Sequence, residues 1–215
     1  MNRLYEEYIL KDLKKKMVFL VGPRQSGKTW LAKKIMRKFN SYQYLNYDDF
    51  DDRKIIQEKA WPKNIELIIF DEIHKMPHWK NFLKGTFDTK PEQQNFLVTG
   101  SARLETFRGS GDSMAGRFFS YHLFPFTLSE LKLMNGGDEN DFLDDLITRG
   151  GFPEPFLSDE FRDSLRWRKQ YIDGLIRNDI LDFEKIHDFK AIQLVLDLLR
   201  DRVSSQISYS SLARD

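Results

Sequence analysis

An eight-residue segment with two glycines, residues 22–29, constrains the fold more than any other part of this sequence. It reads Gly22-Pro23-Arg24-Gln25-Ser26-Gly27-Lys28-Thr29 and fills every fixed place of the phosphate-binding pattern G-x-x-x-x-G-K-[ST]. An apolar run at residues 17–21 leads directly into the segment, and an amphipathic stretch at residues 28–39 follows it. This order predicts a buried strand, then a turn whose backbone N–H groups surround an anion, and then a helix whose positive end faces that anion.

The residue types in this loop predict what each position does. Gly22 and Gly27 allow backbone geometry and an approach to phosphate that a Cβ would obstruct. Lys28 places a compact positive charge near the β- and γ-phosphate oxygens, and the Thr29 hydroxyl is a hard oxygen ligand for Mg²⁺. We therefore predict that the loop binds ATP with Mg²⁺. The predicted nucleotide-binding residues are Gly22, Pro23, Arg24, Gln25, Ser26, Gly27, Lys28, Thr29 and Trp30.

A pair of acids follows a second apolar run and predicts hydrolysis rather than binding alone. Residues 67–70 are wholly apolar, as expected of a strand buried on both faces of a parallel sheet, and Asp71 and Glu72 come directly after them. We assign Asp71 to holding Mg²⁺ and Glu72 to polarising the attacking water as a general base. The alternative is that the two acids only cap the following helix, whose dipole would favour them.

Two further polar positions are candidates for contact with the γ-phosphate. Ser101, with Thr99 as the alternate, follows another apolar strand and is suited to sensing the γ-phosphate or the lytic water. The competing interpretation is an ordinary turn rich in Gly and Ser. Arg117 precedes an aromatic run and is suited to stabilising transition-state charge, either within the chain or across a subunit boundary. Its competing interpretation is a surface arginine paired with a carboxylate.

The composition excludes several classes of protein. The 34 basic and 33 acidic residues give a net charge of +1, so no global field draws the chain towards nucleic acid or a membrane. There is no cysteine, which excludes disulfides and thiolate metal sites. The N-terminus lacks the apolar segment of a signal peptide, and no apolar run approaches the length of a membrane span. We expect a soluble, cytoplasmic protein.

Apolar runs alternate with helical patterns, which predicts an α/β fold with a P-loop core, a parallel sheet and flanking helices. The predicted strands are residues 17–21, 43–47, 66–70, 95–100 and 118–123. Parallel strands end at one edge of a sheet, so we expect Lys28, Asp71 and Ser101 to converge where the first and third strands end side by side. The predicted domains are a core at 1–135 with an N-terminal helix at 1–16, a helical lid at 141–202, and the start of a helix-turn-helix segment at 203–215.

The combined motifs resemble one family, the AAA-type ATPases of bacteria and archaea that usually continue into a winged-helix segment and a restriction-nuclease-like domain. The motifs that carry the resemblance are the P-loop, residues 71–75 with Trp79 and residues 83–84, residues 99–101, residues 115–117, residues 123–131 and residues 150–153. The resemblance implies ATP and Mg²⁺ binding through Lys28, Thr29, Asp71 and Glu72. It also implies a sensor role for Ser101 and an arginine role for Arg117.

The family usually extends well beyond 215 residues, which predicts a shortened or degenerate chain. A protein or DNA partner that engages the missing C-terminal part is one possibility, and a homo-oligomer is another. The main alternative function is a nucleotide-gated binding module with negligible turnover. A helicase-like activity and a nucleotide kinase are more distant alternatives.

Overall fold

The strands of this fold form where the sequence predicts them. The computed structural model describes residues 3–100, 114–135, 139–175 and 189–206, together with Ser208 and Ser210. The strands are β1 Met17–Val21, β2 Tyr42–Asn46, β3 Leu67–Asp71, β4 Asn95–Gly100 and β5 Phe118–His122. Each predicted strand is present, with its ends shifted by at most one residue.

Helices separate most of the strands. They are α1 Glu6–Leu13, α2 Lys28–Met36, α3 Phe50–Glu58, α4 Trp79–Asp88, α5 Leu128–Asn135, α6 Glu139–Arg149, α7 Pro153–Phe156, α8 Phe161–Leu175 and α9 Phe189–Asp201. A short 3₁₀ turn, Ile73–Lys75, links β3 to α4. Helix α3 begins at Phe50 because the Asp49 carboxylate accepts hydrogen bonds from the backbone N–H groups of Asp51 and Asp52.

The five strands form one sheet in the order β2-β3-β4-β1-β5, and every neighbouring pair is parallel. This confirms the α/β fold with a parallel sheet. The expectation that the first and third strands end side by side is wrong, because β4 lies between β1 and β3. The connection after β1 runs through α2 to β2, and it therefore passes over two strands of the sheet, β4 and β3. This crossing brings the start of α2 over the ends of both β4 and β3.

The three central strands, β3, β4 and β1, are buried on both faces, as largely apolar parallel strands require. Side chains at alternate strand positions belong to two separate clusters. On one face Leu20, Ile69 and Leu97 pack with residues of α1 and α2. On the other face Phe19, Phe70 and Phe96 pack in the cluster that contains residues of α3 and α4. The alternation decides which polar residues at the strand ends face α2.

The chain divides into two compact units, Met1–Phe156 and Leu157–Asp215. In this division α6 and α7 belong to the first unit, and the predicted boundary between a core at 1–135 and a helical lid at 141–202 stays a prediction. Backbone contacts account for this division, because the Phe126 N–H donates to the Gly151 carbonyl at 2.6 Å. A Cβ at Gly151 would lie 2.5 Å from the Phe126 oxygen, so only glycine permits this approach. The second unit contains α8 and α9, and most of the predicted helix-turn-helix start at 203–215 lies outside the described residues.

Within the described ranges, no helix has both the length and the apolar character needed to cross a membrane.

Candidate functional site

The first glycine of the P-loop is required by a neighbouring strand end. Gly22 has a φ of +149°, and a Cβ built on it would lie 2.3 Å from the backbone oxygen of Leu123. Leu123 is held there because its N–H donates to the Val21 carbonyl at 2.7 Å, directly after β5. The sequence predicted that Gly22 permits an approach to phosphate. The structure gives it a second function, which is to let the chain after β5 close against the loop.

The second glycine begins helix α2 in the left-handed region. Gly27 has a φ of +92°, and its carbonyl accepts the first helical hydrogen bond from Leu31 N at 2.9 Å. A Cβ at Gly27 would lie 3.6 Å from Arg3 Nη1 and 3.7 Å from Pro153 Cγ, which is ordinary contact distance. The conformation rather than the space therefore demands glycine here. The same contacts place Arg3 and the start of α7 directly against the P-loop.

Arg3 holds the backbone of the P-loop through a hydrogen bond, and this role was not predicted from the sequence. Its guanidinium donates to the Ser26 carbonyl at 3.1 Å, to the Phe124 carbonyl at 2.7 Å and to Glu130 Oε1 at 2.7 Å. Only 3% of the Arg3 side chain and 7% of the Glu130 side chain are exposed. Burial lowers the pKa of Arg3, and Glu130 opposes that shift. No local pattern identifies such a residue, because its three acceptors lie at widely separated places in the sequence.

The Lys28 ammonium group lies inside the P-loop, where the sequence predicts it. Its ammonium group donates to the carbonyls of Gly22 at 3.0 Å and Pro23 at 2.6 Å. The residue is 8% exposed, and burial lowers its pKa, while the nearby carboxylates of Glu72 and Asp71 raise it. A positive charge therefore lies among the loop carbonyls, and it interacts electrostatically with Asp71 and Glu72.

The Asp71 carboxylate is the centre of a group of hydroxyls. Thr29 Oγ1 donates to Asp71 Oδ2 at 3.1 Å, and the Tyr44 hydroxyl donates to the same oxygen. Thr99 Oγ1 donates to Asp71 Oδ1. The alternation of the strands explains the convergence: Asp71 shares its face with Ile69, and both Tyr44 and Thr99 lie on that face, beneath the start of α2.

Tyr44 was not identified from the sequence, and Thr99 was only the alternate to Ser101. Thr99 is fully buried and pairs in register with Asp71, so its contact follows from the position of β4 beside β3. Burial and the hydrogen bond to Asp71 raise the pKa of Tyr44 well above its ordinary value. Tyr44 thus stays a phenol and donates its proton to the carboxylate.

Glu72 follows Asp71 directly but departs from the extended conformation of the strand. Its φ is +56°, in the left-handed region, and its N–H donates to the Thr99 carbonyl at 3.1 Å. Glu72 Oε2 lies 3.6 Å from both Lys75 Nζ and His74 Nε2. Burial raises the pKa of Glu72 above its ordinary value, whereas the charge of Lys75 opposes the rise. A partly buried carboxylate with a raised pKa is closer to the range useful to a general base.

The structure does not bring Arg117 to this group. Arg117 immediately precedes β5, and Phe118 pairs with Met17 at the start of β1. Arg117 therefore lies at the N-terminal ends of the strands, whereas the P-loop follows the C-terminal end of β1. Its guanidinium binds both oxygens of Asp88, at 2.8 and 3.0 Å, in an exposed ion pair. A role within one chain does not fit this position, and a role across a subunit boundary stays a prediction. Ser101 lies outside the described residues.

The remaining predicted residues of the loop lie around Lys28. Ser26 is fully buried, Arg24 and Gln25 are exposed, and Gln25 has a φ of +60°. Trp30 is 47% exposed on the first turn of α2, beside Thr29. A bound anion at this turn would meet the backbone N–H groups at the start of α2 and the ammonium group of Lys28.

Solved structures with this fold include P-loop proteins. The Walker-type ATPase paby2304 of Pyrococcus abyssi is 13% identical, with a TM-score of 0.54 covering 99% of this chain and 88% of that one. A single-substitution variant of RuvB from Thermotoga maritima is 17% identical, with a TM-score of 0.50 covering 97% of this chain and 78% of that one. Both likenesses show the fold alone.

The curated relatives are uncharacterised proteins. MJ1544 of Methanocaldococcus jannaschii is 24% identical over 95% of this chain and 51% of its own length. Mb2031c of Mycobacterium bovis and Rv2008c of Mycobacterium tuberculosis are each 26% identical over 76% of this chain and 36% of their own length. The chain therefore spans about half the length of the archaeal relative and about a third of the mycobacterial ones.

Two family models match consecutive parts of the sequence. Residues 140–215 match a domain of unknown function (DUF8612). Residues 14–132 match the model of the AAA domain, and they include the P-loop, both acids and all five strands of the sheet. Since this match covers more than half of the chain, the protein belongs to the AAA domain family.

Proposed function

We propose that this protein binds ATP with Mg²⁺ and hydrolyses it. The observation that carries the proposal is the hydrogen bond of 3.1 Å from Thr29 Oγ1 to Asp71 Oδ2. It joins the hydroxyl at the start of the P-loop helix to the acid at the end of β3, although 42 residues separate them in the sequence. These are the two groups that hold the metal in P-loop NTPases.

The P-loop supplies the phosphate site. Backbone N–H groups at the start of α2 point along the helix axis at the place where phosphates would lie, and the helix dipole favours negative charge there. Lys28 would exchange its bonds to the Gly22 and Pro23 carbonyls for bonds to phosphate oxygens. Its pKa, lowered by burial, would rise again as the phosphates approach, because an opposite charge favours the ammonium form.

The donors at the metal site fit Mg²⁺. A threonine hydroxyl and a carboxylate are hard oxygen groups, and Mg²⁺ is bound in such sites through one or two carboxylates, phosphates and water. Thr29 and Asp71 would hold the ion, and the chemistry it would supply is positive charge against the charge that develops on the phosphates. The Thr29 hydroxyl can keep its hydrogen bond to Asp71 while its oxygen faces the ion.

Glu72 is the proposed general base. It would accept a proton from the attacking water, for which it must be ionised. The carboxylate is 28% exposed, so water can reach it, and its partly buried surroundings raise its pKa. Asp71, held by three hydroxyls, is the less available of the two acids for proton transfer.

Two substitutions separate binding from hydrolysis. Lys28→Ala should abolish ATP binding measured by calorimetry. The control is Lys38→Ala, at an exposed position two residues after the end of α2, which should leave ATP binding unchanged. Glu72→Gln should retain binding and lower steady-state hydrolysis by about a hundredfold or more, as loss of a general base does. The exposed Glu58→Gln is its control.

The two arms contradict different parts of the proposal. Unchanged affinity in Lys28→Ala would refute the phosphate assignment. If wild-type turnover stays at background with candidate partners added, the hydrolytic part fails and a nucleotide-gated binding module remains. A protein or DNA partner, a homo-oligomer that engages Arg117, and a cytoplasmic location stay predictions.

A further inference from the structure

We infer that Tyr44 is a positioning residue for the metal site, which holds the Asp71 carboxylate in the orientation that a divalent cation requires. The inference rests on the proposed binding of Mg²⁺-nucleotide, but not on hydrolysis. Its basis is the convergence of three hydroxyls from three different elements on one carboxylate.

The sheet places Tyr44 at the right distance and on the right face. Strand β2 pairs in parallel with β3, with Tyr44 opposite Ile69 and Asn46 opposite Asp71. Two strand residues span about 6–7 Å, so a side chain starting at Tyr44 has to reach forward by that length to meet Asp71. A phenol has this reach and ends in a hydrogen-bond donor, whereas the shorter hydroxyls of serine and threonine would fall short.

The ring of Tyr44 is held independently of its hydroxyl. The ring packs in the cluster between the sheet and α2, and Lys33 Nζ lies 4.8 Å from the ring centre. Tyr44→Phe would therefore remove one donor while leaving the packing and the cation–π contact in place.

The two oxygens of Asp71 have different donors. Thr99 fixes Oδ1, while Tyr44 and Thr29 share Oδ2. The Thr29 hydroxyl can keep its hydrogen bond to Asp71 Oδ2 while its oxygen faces a cation only if Oδ2 does not move. Tyr44 also donates to Oδ2, but it would not itself bind the cation. It would therefore keep the carboxylate in place when the cation binds. Hydrogen bonds of this kind to metal-holding carboxylates orient the ligand and tune its affinity.

The test compares Tyr44→Phe with Tyr42→Phe. Tyr42 lies two residues earlier on the same strand, is 45% exposed and pairs with Leu67 rather than with the end of β3. The readouts are calorimetric binding of a non-hydrolysable ATP analogue without metal, and the Mn²⁺ concentration that half-saturates the analogue complex, followed by electron paramagnetic resonance. Thermal melting checks that both variants are folded.

We expect Tyr44→Phe to leave metal-free analogue affinity within about twofold and to raise the half-saturating Mn²⁺ concentration by roughly 10- to 100-fold. Tyr42→Phe should change neither. An unchanged Mn²⁺ requirement in Tyr44→Phe would overturn the inference, and so would an equal loss of analogue affinity with and without metal. Wild-type protein that binds no analogue would refute the proposed function itself, whereas wild-type protein that binds Mn²⁺-analogue but does not hydrolyse ATP leaves the inference standing.

Discussion

The buried ion pair between Arg3 and Glu130 offers the sharpest test of how the P-loop is supported. Both side chains are more than nine-tenths buried, and the shortest contact between them is 2.7 Å. Glu130→Gln preserves the shape of the side chain and one acceptor oxygen but removes the negative charge. The guanidinium would then stay buried with only neutral acceptors, namely the amide and the carbonyls of Ser26 and Phe124.

The magnitude follows from the burial of an uncompensated charge. Removing one partner of a buried ion pair destabilises a protein by about 3–5 kcal/mol. Because two backbone carbonyls remain with Arg3, we expect the lower end of that range for Glu130→Gln, about 3 kcal/mol. Arg3→Met should cost a similar amount, since the Glu130 carboxylate would keep only the Leu4 N–H, at 3.1 Å, among its present donors. In the double variant neither charge remains, so the two losses should fall short of additive by about 1–3 kcal/mol.

Urea denaturation at neutral pH measures these free energies of unfolding, and an exposed ion pair provides the control. Arg149 and Asp145 lie 3.2 Å apart with side chains 22% and 48% exposed. Asp145→Asn should therefore change stability by less than about 1 kcal/mol. If Glu130→Gln were no more destabilising than Asp145→Asn, or if the Arg3 and Glu130 losses were strictly additive, the argument that this pair braces the P-loop would be refuted.

Two further predictions concern the acid at the end of β3 and the first glycine of the loop. Lys75→Met removes the charge that lowers the pKa of Glu72, so this pKa should rise and the acid limb of the single-turnover hydrolysis profile should move to higher pH; an unmoved limb would contradict the assignment of Glu72 as base. Gly22→Ala should destabilise the fold by about 2–5 kcal/mol in urea denaturation, because its Cβ meets the Leu123 oxygen in a strained backbone conformation. Gly85→Ala, inside α4 with open space around it, should instead stabilise by about 0.5–1 kcal/mol, and equal effects of the two alanines would contradict the steric argument.

The parts of the site that sequence could predict are those encoded by neighbouring residues. The P-loop lies between its own strand and helix, and the acids at 71 and 72 directly follow an apolar run, so their types and spacing are sufficient to identify them. The fold class followed in the same way from the alternation of strands and helices. Roles beyond this local range depend on which strands are neighbours, and the sequence does not contain that order in any local pattern.

The errors and omissions share this cause. The sequence suggested that β1 and β3 end side by side, but β4 lies between them, and this makes Thr99 the residue beside Asp71. Tyr44 became visible only once β2 was known to pair with β3. The parallel pairing of β5 with β1 places Arg117 at the far end of the strands from the P-loop, so of its two predicted roles only the one across a subunit boundary stays a prediction. One-dimensional spacing cannot distinguish the two ends of the strands when the intervening loop is long.

Contacts from distant parts of the chain also hold the P-loop in its shape. The Leu123 carbonyl closes against Gly22, the Arg3 guanidinium holds the Ser26 carbonyl, and Pro153 packs beside Gly27. Each contact acts on a different part of the loop and comes from a different segment of the first compact unit. A loop held in this way loses little conformational entropy when an anion binds, so more of the interaction energy appears as affinity. Loss of any one contact should therefore weaken nucleotide binding even though none of the three residues faces the phosphates through its own charge or hydroxyl. The resemblance of residues 150–153 and 123–131 to the family then has a physical meaning, because these segments shape the loop rather than perform its chemistry.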